Sequence, residues 1–140
     1  MKALPVIRSA ILQPFVAVLQ QENADVDRLF SQSLLPPKAI EDESLIVPGH
    51  CLWKLLHCME VELGLNDAGY RAAELFPIHQ VPGINAQIRD SANLSELLLN
   101  FIRASHSMIG VRHYFLRRSR DQVWFRRRPY SALPGRRPME

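Results

Sequence analysis

The repeat of apolar residues changes once along this chain. Up to Gly110 it follows the 3.6-residue period of helices lying on a core, and beyond Gly110 it falls to two. This pattern predicts a mainly helical α+β fold with a C-terminal antiparallel β-hairpin packed on the helices. A hairpin standing alone is marginal in water, so its strands must be covered by the helices or by other strands.

The helical part reads in segments. Ile11, Leu12, Phe15, Val16 and Leu19 draw one apolar stripe on a helix running to about Gln21, with Pro14 in its first turn, where no N–H partner is lost. Asp25 caps a short helix that turns Val26, Leu29 and Phe30 inward. Pro36-Pro37 ends that unit, and Glu41-Asp42-Glu43-Ser44 reads as an acidic, exposed connector. Val47-Pro48 opens a longer helix with Leu52, Leu55, Leu56, Met59 and Leu63 on one face, closed by Gly64 at C′. Asn66 caps a further short helix with Tyr70, Ala73 and Phe76 facing in, and the proline-rich stretch 76–83 is a loop. Asn93-Leu94-Ser95-Glu96 has the form of a capping box, followed by a helix carrying Leu94, Leu97, Leu98, Phe101, Ile102 and Met108 and stopped by Gly110.

Two strands follow, Val111–Arg118 and Gln122–Arg128, around Arg120-Asp121. With Ser119 opposite Gln122, one face collects Tyr114, Leu116, Val123 and Phe125. The other holds His113, Phe115, Arg117, Trp124, Arg126 and Arg128. The expected organisation is one domain over 1–128 and a loose Pro/Arg-rich end over 129–140.

Composition narrows the function classes. A chain of 140 residues, 47% of them hydrophobic, buries roughly two thirds of its unfolded surface and needs neither disulfide nor metal to fold. Apolar runs of the Phe15–Leu19 kind fall far short of the ~20 residues a membrane span requires, and Arg8 interrupts the only apolar stretch near the N-terminus. Cys51 and Cys58 lie about 10 Å apart along one helix, too far for a disulfide, which favours reduced thiols and a cytoplasmic setting. Charge is unevenly placed. Eight Lys/Arg face twelve Asp/Glu up to Gly110, whereas nine Arg and two acids follow it.

No chemistry-bearing motif emerges from the residues. His50, Cys51, His57, Cys58, Glu60 and Glu62 share one helix, but His50–His57 and Cys51–Cys58 are seven apart, and chelating pairs on a helix need a spacing of three or four. Cys58 and Glu62 are four apart and His57 and Glu60 three, and neither pair gains a third ligand at helix spacing. There is no G-x-S-x-G elbow and no phosphate-binding glycine loop, and His79 and His106 lack a motif that would make them haem ligands. No enzyme, metal or cofactor is expected.

Two readings of the remaining features stay open. Arg126, Arg127 and Arg128 form a basic cluster that reads as a solvated strand face that blunts an edge, or, as the alternative, as phosphate contact in a small nucleic-acid-binding protein. Alternation sends Arg127 away from Arg126 and Arg128, so they draw no continuous stripe. Phe15, Phe30, Trp53 and Phe101 are either core or the lining of a small cavity between helices and hairpin.

The order of segments resembles a known family. Val6-Ile7-Arg8-Ser9-Ala10-Ile11-Leu12-Gln13-Pro14-Phe15, the Asp25–Phe30 helix with Leu34-Leu35-Pro36, and Ile46-Val47-Pro48 before the long helix resemble the N-terminal effector-binding ("arabinose-binding-like") half of AraC/XylS-type transcriptional regulators. Gly64-Leu65-Asn66-Asp67-Ala68-Gly69-Tyr70-Arg71 stands where that family reads Gly-Asp-Pro-x-x-Gly-Leu-Arg, and Ser91-Ala92-Asn93-Leu94 and the hairpin follow in order. The resemblance covers about Val6 to Arg128. Leu65-Asn66 replaces the usual Asp-Pro, Asn93 stands where Thr is frequent, and the stretch 79–83 lacks the usual Leu-Gly pair. What the resemblance implies is a self-associating sensor of a small-molecule effector. DNA would then be contacted only through a C-terminal pair of helix-turn-helix motifs beyond these 140 residues. It carries over no effector-binding residue.

Overall fold

A computed structural model describes residues 5–81, 83–109 and 114–127. Gly110, Val111, His113 and Arg128, and with them the Pro/Arg-rich end, lie outside the described residues. Within them the chain is mainly helical α+β, with seven α-helices and two separate two-stranded antiparallel sheets.

The first sheet joins β1 (Val6–Arg8) to β2 (Ile46–Pro48), with Ile7 opposite Val47. Sequence pattern placed Val47-Pro48 at the start of the long helix, and this is corrected: the helix begins at Gly49. A three-residue strand shows too little alternation to be read, and its partner is 40 residues away. The pairing is extended on both sides by Ser9 N–H to Leu45 C=O and Gly49 N–H to Pro5 C=O, both 2.8 Å. Ser9 is fully buried beside it, and its hydroxyl donates to the Asp42 carbonyl.

After β1 a 3-10 turn (Ser9–Leu12) leads into α1 (Gln13–Gln21), with Pro14 in its first turn as expected. α2 (Val26–Gln32) is capped by Asp25, whose carboxylate accepts from the Arg28 N–H at 3.0 Å. A short α3 (Lys38–Glu41) takes up part of the expected acidic connector. Asp42 beyond it accepts from the Ser44 hydroxyl and N–H, which holds its carboxyl below the usual range. α4 (Gly49–Leu63) stops at Gly64, whose φ of 67° suits glycine. α5 (Ala68–Leu75), a 3-10 turn (Ile78–Gln80) and α6 (Asn85–Ile88) precede α7 (Leu94–Ile109).

The box before α7 forms with its return arm shifted by one residue, from the N-cap Asn93 to Ala92. The Asn93 side chain accepts from the Glu96 N–H, and the Glu96 carboxylate accepts from the Ala92 N–H, both at 2.9 Å. The leucines behind it are more exposed than their pattern suggests: Leu94 is 71% accessible, while Ala104, Ser105 and Met108 are buried. The hairpin of β3 (Tyr114–Ser119) and β4 (Gln122–Arg127) has the anticipated register, with Ser119 opposite Gln122 and Arg120 at a φ of 49°. It rests on α7.

Apolar residues gather in two clusters. The larger centres on Leu12, Val16, Val18 and Leu19 with Leu29, Phe30, Val47, Leu55 and Met59, and α5 adds Ala68 and Ala72. The smaller holds Ala10, Ile84, Ala104 and Met108. Ile11 and Ile109 touch both. The inward face of α5 differs from the expected one, since Tyr70 is 69% exposed. Ala73 is exposed as well, and α5 instead buries Ala68 and Ala72, small residues that let it approach α1 closely.

α1 and α2 both end in Schellman motifs. Ala24 N–H reaches Leu19 C=O and Asn23 N–H reaches Gln20 C=O; Leu35 N–H reaches Phe30 C=O and Leu34 N–H reaches Ser31 C=O. Each motif places a residue in the left-handed region, Asn23 at 53° and Leu34 at 61°. Asparagine tolerates that conformation, whereas leucine pays a steric penalty. Leu34 is 62% exposed and surrenders little packing, so Leu34→Gly should stabilise the protein by about 1 kcal/mol in urea denaturation. An unchanged or lowered midpoint would show that the leucine side chain outweighs its backbone strain.

Candidate functional site

A cavity of about 320 Å³ opens at the seam between the two apolar clusters. Ile11, Pro14 and Phe15 form one wall, at the junction of the 3-10 turn and α1. α5 contributes Gly69, Ala72 and Ala73, whose small side chains leave the space open; a Cβ added at Gly69 would meet nothing within 4 Å. Phe76, Ile78, Val81 and Ile84 supply the rim from the connection to α6. The remaining wall is Phe101, Ser105, Met108 and Ile109 of α7, with Tyr114 from β3.

This arrangement separates the four aromatic residues whose role the sequence left open. Phe15 and Phe101 line the cavity. Phe30 is fully buried in the larger cluster, and Trp53 lies on the outer side of α4 at the boundary of exposure. The cavity had a partial signal in the sequence, an apolar loop rich in proline next to a glycine- and alanine-bearing helix. On α7, Phe101 carries such a signal as an aromatic residue, whereas Ser105 and Met108 fall within an ordinary amphipathic stripe and carry none.

The lining is almost wholly apolar. Ser105 and Tyr114 are its only residues with a polar side-chain atom, and no charged side chain joins it among the described residues. The Ser105 hydroxyl donates to the Phe101 carbonyl at 2.8 Å, which leaves its oxygen able to accept. Backbone donors at the rim are engaged: Gln80 N–H with Pro77 C=O, Val81 N–H with Ile78 C=O, and Ile84 N–H with Val81 C=O.

Three rings hold the hairpin to α7. Phe101 meets Tyr114 edge to face at 5.2 Å and Phe125 at 6.0 Å, while Tyr114 and Phe125 stack at 5.5 Å across the strands. Such pairs contribute beyond the area they bury. Tyr114 therefore belongs both to the hairpin's attachment and to the cavity wall.

The other candidate groups lie elsewhere. Among the described residues, no three His, Cys, Asp or Glu side chains gather closely enough to hold a metal ion. Those on α4 are spread around the helix. Cys51 is buried in the larger cluster, where burial pushes its thiol pKa up, and Glu62 pairs with Arg28 at 2.7 Å. Cys58 stands 3.9 Å from the Ser33 hydroxyl, and both cysteines are free thiols. His79 and His106 are exposed and outside the cavity lining. Arg126 and Arg127 occupy opposite faces of β4, as alternation required, and Arg128 lies outside the described residues. Arg117, Ser119, Trp124 and Arg126 surround a shallow hollow of about 210 Å³ on the hairpin's outer face. No helix among the described residues is long and apolar enough to cross a membrane.

Removing the central ring tests how the hairpin is held. Phe101→Ala should cost about 2–3 kcal/mol, less than a fully buried phenylalanine would. Amide hydrogen exchange should accelerate over 114–127 while the amides of α1 and α4 keep their protection. Equal loss of protection in all three would mean that the hairpin is not a separately attached unit.

No protein-family model matches the chain, and no curated protein matches it.

Proposed function

We propose that this chain is the N-terminal ligand-sensing domain of an AraC/XylS-type transcription regulator, with the cavity between the two clusters as its effector site. The observation that carries the reading is the position of that cavity. Its walls come from both apolar clusters and from the hairpin, so a molecule held there touches parts of the fold that could otherwise shift against one another. The ordered segments that resemble the family supply the walls: Ile11 to Phe15, the helix after Gly64 and the helix after Asn93. The mechanism is a population shift, in which an effector favours the arrangement that binds it better and so changes the geometry of the attached DNA readers. Self-association of the sensing domain would place two such readers side by side on DNA.

The test begins with the coding sequence past Glu140, which should encode two helix-turn-helix motifs. The affinity of the complete product for its operator should then change about 5- to 150-fold when the effector is added. Absence of a DNA-reading region, or operator binding indifferent to every ligand that raises the protein's melting temperature, would reject the regulator reading.

A second reading is favoured by the outer face of the hairpin. Arg117 stands directly opposite Trp124, and with Arg126 they place two cations and one aromatic ring around the shallow hollow. That mixture suits stacking on bases with arginines on phosphates. Under this reading the chain binds single-stranded nucleic acid, with affinity falling steeply between 50 and 200 mM salt (about tenfold or more). Replacing Arg117 and Arg126 by Ser should flatten that salt dependence; an unchanged slope excludes the face as a nucleic-acid site.

A further inference from the structure

The lining of the cavity also limits what can occupy it. The geometry points to an uncharged, mainly aromatic or alicyclic ligand of about a dozen non-hydrogen atoms that donates one hydroxyl hydrogen bond to Ser105 Oγ. This rests on the reading of the cavity as the effector site and adds the chemical class of the effector.

Volume sets the size. An apolar cavity of ~150 Å³ takes up benzene, so about 320 Å³ has room for roughly twice as many atoms. Charge sets the first exclusion. A carboxylate, phosphate or ammonium group turned in against this wall finds no counter-ion among the described residues, and desolvation without pairing is strongly unfavourable. Hydrogen-bonding capacity sets the second. A free sugar brings a hydroxyl on nearly every carbon, but among the described residues the side chains of this wall offer two polar atoms, Ser105 Oγ and the Tyr114 hydroxyl. The Phe76, Val81 and Ile84 amides at the rim already donate within the chain, so few partners are left for the hydroxyls of a sugar.

Shape and acceptor geometry supply the positive side. Phe15, Phe76, Phe101 and Tyr114 present aromatic surface to the cavity, which favours ring–ring packing over a flexible polar chain. Ser105 is 5% exposed, and its own proton is committed to the Phe101 carbonyl. It therefore acts toward a ligand as an acceptor, and the matching ligand group is a hydroxyl donor.

The experiment is a calorimetric titration of the 140-residue protein at pH 7 with 2-naphthol, 2-naphthoate and arabinose, repeated on Gly69→Leu and Ser105→Ala. Gly69 is helical with a negative φ and open space around the missing Cβ, so a leucine there should fill the cavity while the fold and melting temperature are kept. The expected result is saturable binding of 2-naphthol at least tenfold tighter than that of 2-naphthoate, with no binding of arabinose. Gly69→Leu should weaken 2-naphthol binding tenfold or more, and Ser105→Ala should weaken it about threefold. If 2-naphthoate or arabinose binds as tightly as 2-naphthol and is lost in Gly69→Leu, the ligand class is overturned while the site stands. If none of the three binds, or if binding ignores Gly69→Leu, both the class and the site fall.

Discussion

The stretch from Ser9 to Gln21 is shared by two hydrophobic clusters, and the rest of the structure is arranged around that sharing. Leu12, Val16, Val18 and Leu19 belong to the larger cluster, while Ala10 belongs to the smaller and Ile11 packs against both. A helix usually buries one stripe against one core. Here the 3-10 turn before α1 rotates the residues preceding Gln13 out of phase with those that follow. The turn is itself held on both sides. Ser9 N–H and hydroxyl reach the carbonyls of Leu45 and Asp42, and the Gln13 side chain reaches the Ile40 carbonyl at 3.0 Å. The strand pair β1–β2 thus does more than add a ladder: it fixes where the chain enters the seam.

A seam between two clusters is a natural place for incomplete packing. Side chains interdigitate well within one cluster, but the surfaces of two clusters meet only where their shapes agree. On this seam α5 presents Gly69, Ala72 and Ala73, and the α7 face includes a serine, so the gap stays open. The aromatic trio of Phe101, Tyr114 and Phe125 closes one end by laying the hairpin across α7. Space and closure come from different elements, which is why changing Gly69 and changing Phe101 address separable properties.

How much of this was legible follows from the range of each interaction. The α1 stripe, the Asp25 cap, the Gly64 stop, the capping box at Asn93–Glu96 and the register at Ser119–Gln122 are all set by residues within a turn or two of each other, and each was readable. The β1–β2 pair was missed because its signal is three residues long and its partner distant. The inward face of α5 is not legible because the helix is short, and the choice of Ala68 and Ala72 over Tyr70 and Ala73 depends on how closely α1 approaches. The seam lies beyond any local pattern. Phe15 and Phe101 could be named as core or cavity lining, but deciding between them and Phe30 needs the partner across the gap.

The hairpin shows how one element can answer to two constraints at once. Its inner face has to be apolar to hold α7, and Tyr114 and Phe125 meet that demand. Its outer face and its edges meet water, where arginines on short strands oppose edge-to-edge pairing with another chain. Because residues alternate between faces, Arg126 and Arg127 cannot serve one surface together. The concentration of charge in the sequence therefore overstates the patch that any one partner would meet. What the outer face does assemble is Arg117 and Arg126 around Trp124, a grouping set by cross-strand register that a search for consecutive arginines does not reveal.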